Sequence, residues 1–419
     1  MRPSLPPISG GQCQRACAPW SSASTAVDGD VVPLIARTSH ESIIVALAAM
    51  LYACPGSNSL PRDGTEGDSP RPQDLLGREQ RGDLRGDRKV SERGKVDVPP
   101  PACLTVNGWS SSAPFVGAGY VAHPLPSFAS GLYYFVHTMK ADGSDRKLYS
   151  AKQQPNGGLS AWQVASPDHG GGPHGFTAID VGGEPFHFRN GHIARYPINA
   201  SGIMQGEVVL LEASVDTAFG GNRYVWDSAI YVAFASGQRR VVHLGGFSFT
   251  GYTYRPDIYT SAIPIGSKFQ KANVGHPAAM PGKAAVFVPG GSQAFVYTGE
   301  AGGSKLWRAR LDASGVVDPF LALPSLPTGN GNGRGDLFVK GNTLFAIRGS
   351  LVFRAVLSSS GDVSNWKAAP ALPGEMVNVT WGGGHLEGQG HGIIGDYVYV
   401  TGPTVAYHAA FTPSTDCGP

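Results

Sequence analysis

An all-β fold, arranged as a ring of six four-stranded antiparallel units, is predicted by three observations. Glycine (58) and proline (33) make up about a fifth of the 419 residues and aromatics 10%, a balance that favours many short strands joined by turns over long helices. Six apolar heptads recur at a nearly constant interval. The chain also stops partway through its sixth unit, while a strand without a neighbouring partner stands near residue 103.

The heptads are LYYFVHT (132–138), EPFHFRN (184–190), RVVHLGG (240–246), QAFVYTG (293–299), TLFAIRG (343–349) and DYVYVTG (396–402), with starts 52, 56, 53, 50 and 53 residues apart. A second series follows each of them, at Leu148, Ile193, Ile258, Leu306, Val352 and Ala406, with the alternation and β-branched or aromatic content of half-buried strands. Beyond it come a glycine turn and another apolar run, as in PNGGLSAWQVAS (155–166) and SSSGDVSNWKAAPALP (358–373). Ahead of each heptad lies one more short strand: GAGYVAH, HGFTAIDV, DSAIYVAF, KAAVFVPG, GDLFVKG and HGIIGD. Units of four strands and about 50 residues cannot bury both faces alone, and they stack radially as blades. The expected domain is a six-bladed β-propeller over residues 102–419.

Several features resemble the kelch-type β-propeller family over about 300 residues. They are the period, a glycine closing the second strand (Gly246, Gly299, Gly349, Gly402), the pair Gly245 and Gly246, an aromatic opening the third strand (Tyr149, Tyr259, Trp307, Phe353, Tyr407), and Trp366 followed by Leu372 and Pro373. Thr138 and Asn190 stand in place of the glycine, Ala194 in place of the aromatic, and the third repeat carries an insertion around 247–257.

The sixth repeat reaches its third strand at VAYHAAF (405–411) and ends eight residues later. The missing fourth strand is CLTVNGW (103–109), whose Trp109 falls where Trp162 and Trp366 fall elsewhere, so the N-terminal strand closes the last blade. Cys103 and Cys417 bracket the cut turn of that blade and are expected to form a disulfide, which persists in an exported protein.

Residues 1–54 read as a leader. SIIVALAAMLYAC (42–54) holds an apolar run too short to span a bilayer and suited to a secretory signal. Its end, Leu51 to Cys54, resembles the lipobox of bacterial lipoproteins, which implies lipidation at Cys54, membrane attachment through that lipid and an extracytoplasmic location. A plain signal peptide is the alternative, and the mass of the mature N-terminus decides between them. Residues 55–101 carry 18 of the 64 charged side chains with balanced signs and almost no aromatic or β-branched residues, the composition of a disordered linker. Its RGD triplets at Arg81 and Arg85 follow from that composition.

Propellers bind at the central funnel or on rim loops. The related loops DHGGGPHG (168–175) and WGGGHLEGQGHG (381–392) place His174 and His391 at the start of inner strands, with Arg334 and Asp227 nearby. His385, Glu387 and His391 have donor types that suit a metal, but their spacing matches no zinc pattern, so no metal or other cofactor is expected. Trp381, with Trp226, Tyr252 and Tyr254, suits a sugar ring or a protein partner. The copper-type chemistry of galactose oxidase, a propeller relative, needs a cysteine cross-linked to a tyrosine, and no cysteine lies between Leu104 and Asp416. With no nucleophile elbow, phosphate loop or paired carboxylates in evidence, no catalytic residue is assigned. A net charge of +2 and a near-neutral repeat region leave no basic stripe for nucleic acid. The sequence therefore points to a monomeric, exported binding module for a protein or glycan ligand. Its alternatives are a lectin-like propeller and a lyase or hydrolase acting on extracellular polysaccharide, with His174, His391 and Arg334 as base and charge neutraliser.

Overall fold

The computed structural model describes residues 103–416 apart from 116–119, 123–126, 141–144, 146, 167–176, 190–191, 207, 213–223, 226–227, 249–252, 266–268, 279–280, 301–302, 330–334, 377–379, 382–383 and 386–389. The leader, the charged linker, Cys54 and Cys417 lie outside the described residues.

Six antiparallel sheets follow one another as blades, so the six-bladed β-propeller predicted from the repeat is the observed architecture. Each predicted heptad forms a second strand, from Tyr133–Lys140 in blade 1 to Tyr397–Thr401 in blade 6. These strands are almost wholly buried because both of their faces pack against neighbouring blades: Tyr134, Phe135, Tyr297, Phe345, Leu344 and Tyr399 rank among the largest fully buried side chains. The apolar clusters fill the gaps between blades. One joins Val242 and Leu244 of blade 3 to Val296 and Leu311 of blade 4, and another joins Phe345 and Ile347 of blade 5 to Val398 and Val400 of blade 6.

Blade closure follows the predicted register. Cys103–Val106 pairs antiparallel with the C-terminal strand Ala406–Ser414, Cys103 opposite Ser414 and Val106 opposite Phe411. Trp109 and Trp162 then do the same work in different blades. The indole of Trp109 donates to Pro370 O at 2.8 Å in blade 5, and that of Trp162 donates to Ala113 O at 3.0 Å.

The turns between third and fourth strands dock onto the preceding blade. Tyr399 of blade 6 donates to Gly157 O at 2.8 Å in blade 1, and Tyr297 of blade 4 donates to Gly361 O at 2.6 Å in blade 5. Gly361 has a φ of +79°, and a Cβ there would lie 2.5 Å from the Phe295 ring. Only glycine meets both the backbone and the space requirement. Each such buried hydrogen bond contributes about 1 kcal/mol net.

One expectation, in blade 1, needs correction, and the expected insertion in blade 3 takes a definite form. In blade 1 the segment expected as the inner strand forms only Tyr120–Ala122, which pairs with the outer end of the second strand. The strand that runs along the channel is Phe128–Ser130, opposite Tyr133 to Phe135. The sequence between the two strands holds Pro124 and Pro126, a residue type without the N–H that a ladder needs. In blade 3 the insertion is a lengthened hairpin, Arg239–Ser248 with Thr253–Ala262, and its register shifts between Leu244 and Gly246.

His276, in the turn after the outer strand Gln270–Gly275 of blade 3, carries a pH-dependent share of stability. Its Nδ1 accepts from Ala278 N at 3.0 Å, and its ring stands edge-on to Trp307 and Phe320. Burial lowers its pKa from 6.5 to about 4, against a smaller raising effect of the Ala278 carbonyl, 3.0 Å from Nδ1, which would accept from the protonated ring. The folded state thus resists a proton that the unfolded chain accepts. Stability from this residue is complete above pH 6.5, falls as the pH drops toward 4, and reaches a loss of about 3 kcal/mol. His276→Asn keeps an acceptor for the amide without the titration. The difference in unfolding free energy between pH 7.5 and 4.5, measured by urea melts, is expected to shrink by about that amount in the variant. An equal difference in both proteins would refute the assignment.

Candidate functional site

The six inner strands each pair on one side only: Phe128–Ser130, Thr177–Asp180, Ser228–Ala233, Pro281–Gly290, Gly335–Lys340 and His391–Ile394. Their unpaired edges surround a central cavity of about 300 Å³ whose wall includes Phe128, Ile179, Ile230, Ala284, Phe338 and Ile393. Those side chains are apolar because the short inner strands must also pack between blades. Backbone N–H and C=O groups of the free edges therefore supply much of the hydrogen-bonding capacity in the channel. That size stands at the lower end of small-molecule sites.

Two ionisable side chains, Asp180 and His391, are among the residues that line this cavity. Asp180 ends the inner strand of blade 2, where its carboxylate accepts from Gly183 N at 2.8 Å. Burial raises its pKa, and backbone and Ser130 hydrogen bonds offset part of that rise. His391 opens the inner strand of blade 6, as the sequence predicts, and its Nδ1 lies 2.8 Å from Asp336 Oδ2. The Asp336 side chain is wholly buried and that of His391 is 11% exposed. Asp336 Oδ2 also accepts from Gly390 N at 2.8 Å, and Oδ1 accepts from Leu337 N at 2.9 Å. The imidazole packs 4.8 Å from the Phe338 ring. With Nδ1 bound to a carboxylate, Nε2 is the nitrogen left for a channel ligand.

Asp336 is the residue that sequence reasoning missed. It is the aspartate of a third RGD triplet, Arg334 to Asp336, and attention fell on the arginine. The available signal was a carboxylate near the start of the apolar strand GDLFVK, a position whose neighbours Leu337 and Phe338 are buried.

Of the other predicted residues, His174, Asp227, Arg334 and Glu387 lie outside the described residues, as do Trp226 and Tyr252. Trp381 and His385 belong to a short hairpin ahead of the blade 6 inner strand, where Trp381 faces Gly384 and Thr380 faces His385. Tyr254 pairs with Phe247 in the lengthened hairpin of blade 3. Among the described residues no three His, Cys, Asp or Glu side chains gather as a metal site.

No family model matches the chain, and no curated protein matches it. Solved structures do. Regucalcin from Agrobacterium tumefaciens, described as a calcium-binding protein, is 15% identical with a TM-score of 0.40, over 72% of this chain and 97% of that one. An oligogalacturonate lyase in complex with manganese is 9% identical with a TM-score of 0.37, over 75% and 97% of the two chains. A putative 6-phosphogluconolactonase from Bacteroides uniformis is 11% identical with a TM-score of 0.36, over 67% and 80%. Identities this low, with superpositions this loose, say nothing of shared chemistry.

Proposed function

We propose that the central channel is a substrate site and that the protein is an enzyme acting on extracellular polysaccharide, with His391 as the proton acceptor. The observation that carries this reading is the His391–Asp336 pair, an imidazole on the channel wall held by a wholly buried carboxylate. Such a carboxylate fixes the tautomer, keeps Nε2 unprotonated toward the ligand and stabilises the imidazolium once a proton is taken. Elimination from a uronide and hydrolysis of a glycosidic bond both need a base placed in this way. Glycan or protein binding without chemistry is the second reading, favoured by the apolar side chains that make up most of the channel wall.

The test uses the full chain on a panel of neutral and uronic-acid polysaccharides. Reducing-end release reports hydrolysis, and ultraviolet absorbance of an unsaturated product reports elimination. Turnover is expected in the wild type and a fall of about a hundredfold or more in a folded His391→Gln variant. Binding of the same sugars with no turnover on any of them would replace the enzyme by the binding module.

The packing of Gly402 supports a kelch-type assignment of the blades: a Cβ there would lie 2.6 Å from the ring of Tyr407, the aromatic that opens the third strand. The ring is also proposed to be stapled between Cys103 and Cys417. That Cys103 is fully buried supports this, as does its register partner Ser414, three residues from Cys417. Export, with tethering through Cys54, completes the reading.

A further inference from the structure

We propose that Tyr134 and Thr401 are positioning residues for His391, acting through the backbone of Gly390, an inference that rests on the channel reading. Gly390 immediately precedes His391, and its peptide groups are held from both sides. Its N–H donates to Asp336 Oδ2 at 2.8 Å. Its carbonyl accepts from Thr401 N at 3.0 Å and from the Tyr134 hydroxyl at 3.3 Å. Thr401 Oγ1 lies 2.7 Å from Tyr134 Oη and 2.6 Å from Ser127 Oγ. The belt thus runs from blade 1 through blade 6 to Asp336 of blade 5 and ends on the imidazole.

Packing does not explain these hydroxyls. Tyr134 is fully buried, and Thr401 and Ser127 are each 3% exposed. Tyr134 stacks on Tyr399 with ring centroids 5.5 Å apart, a contact that phenylalanine would keep. A buried hydroxyl costs about 1–3 kcal/mol if left without a partner, so each member of the belt is tolerated only with the others in place. Burial raises the Tyr134 pKa, with hydrogen bonds from Thr401 and Ser127 opposing, so its hydroxyl stays protonated as a donor. Room is restricted on both sides of His391. A Cβ on Gly392 would lie 2.6 Å from Ala129 Cβ and 2.9 Å from Tyr134 Cε2, and one on Gly390 would lie 2.6 Å from Met376 Cε. The two residues that flank the imidazole are fixed by contact and by hydrogen bond, which is the rigidity a proton acceptor requires.

Long-range proton–nitrogen NMR of the full chain reads the His391 tautomer directly, with His391→Gln identifying its signals. The wild type is expected as the Nδ1–H tautomer. Tyr134→Phe and Thr401→Val are expected to mix in the other tautomer, while Thr401→Ser restores the wild-type pattern. On a substrate found by the polysaccharide panel, kcat is expected to fall about tenfold with KM unchanged. An unchanged tautomer in folded Tyr134→Phe and Thr401→Val overturns the proposal even if the enzyme is active. The expected NMR change without turnover upholds the positioning and rejects the enzyme.

Discussion

Replacing Cys103 and Cys417 together by serine is expected to lower the stability of the propeller by up to about 5 kcal/mol, the chain-entropy value for a crosslink closing a loop of some 300 residues. For a domain of this size that is a fall in Tm of roughly 10 °C. The cut turn of blade 6 explains why so much rests there. Other blades join their third and fourth strands by a continuous hairpin whose turn docks on the preceding blade, as Gly361 does under Tyr297. In blade 6 the same place is filled by two segments far apart in sequence, at Cys103 and Asp416. Arg354 of blade 5 donates to Asp416 O at 3.0 Å and stands 2.9 Å from Cys103 Sγ, while Leu104 N donates to Thr343 Oγ1 at 2.9 Å. These contacts dock the two segments but do not join them, and the pairing of Cys103–Val106 and Ser110–Ser111 with the C-terminal strand then has to hold the ring shut. Calorimetry with and without reductant separates the contributions. The serine variant and the reduced wild type are expected to melt together, well below the oxidised protein; coincident melting of all three would show that the ring closes without the crosslink.

The ring was legible because its signals are periodic. Apolar heptads at steady spacing marked the second strands, which are buried on both faces and so cannot tolerate polar drift. The orphan strand at Cys103 was legible for the same reason, since Trp109 repeats the place of Trp162. The inner strand of blade 1 was not legible, because Phe128–Ser130 is too short to show alternation and GYVA resembled a strand more closely. The site was legible in part. His391 stood out as a histidine in a glycine loop, whereas Asp336 is recognisable only through its partner 55 residues away. Pairings across blades leave no spacing rule in the sequence, and the belt from Ser127 to Thr401 spans 274 residues with the same result.

Gly335→Ala is expected to destabilise the protein by about 3 kcal/mol or more and to impair whatever chemistry His391 performs. Gly335 pairs with Arg348 at the start of the blade 5 inner strand, and its neighbour Asp336 pairs with Ile347. A Cβ on Gly335 would lie 2.0 Å from Ile347 O and 2.9 Å from Arg348 Cδ. The first of those atoms is backbone in the middle of a buried sheet, so relief requires moving the strand and not merely turning a side chain. Moving it displaces Asp336, whose carboxylate is anchored by the amides of Leu337 and Gly390 as well as by the imidazole. The third RGD triplet is therefore built for the interior: its glycine admits the close strand and its aspartate holds His391, which leaves no carboxylate on offer to an adhesion receptor. Gly275→Ala is the control, because a Cβ there meets nothing closer than Pro256 O at 3.4 Å and is expected to change stability by no more than about 0.5 kcal/mol. Urea melts of both variants, with the His391 tautomer read by NMR in parallel, carry the test. A Gly335→Ala protein as stable as the control and with an unaltered His391 tautomer would mean that the strand yields freely, and that Asp336 does not depend on its position.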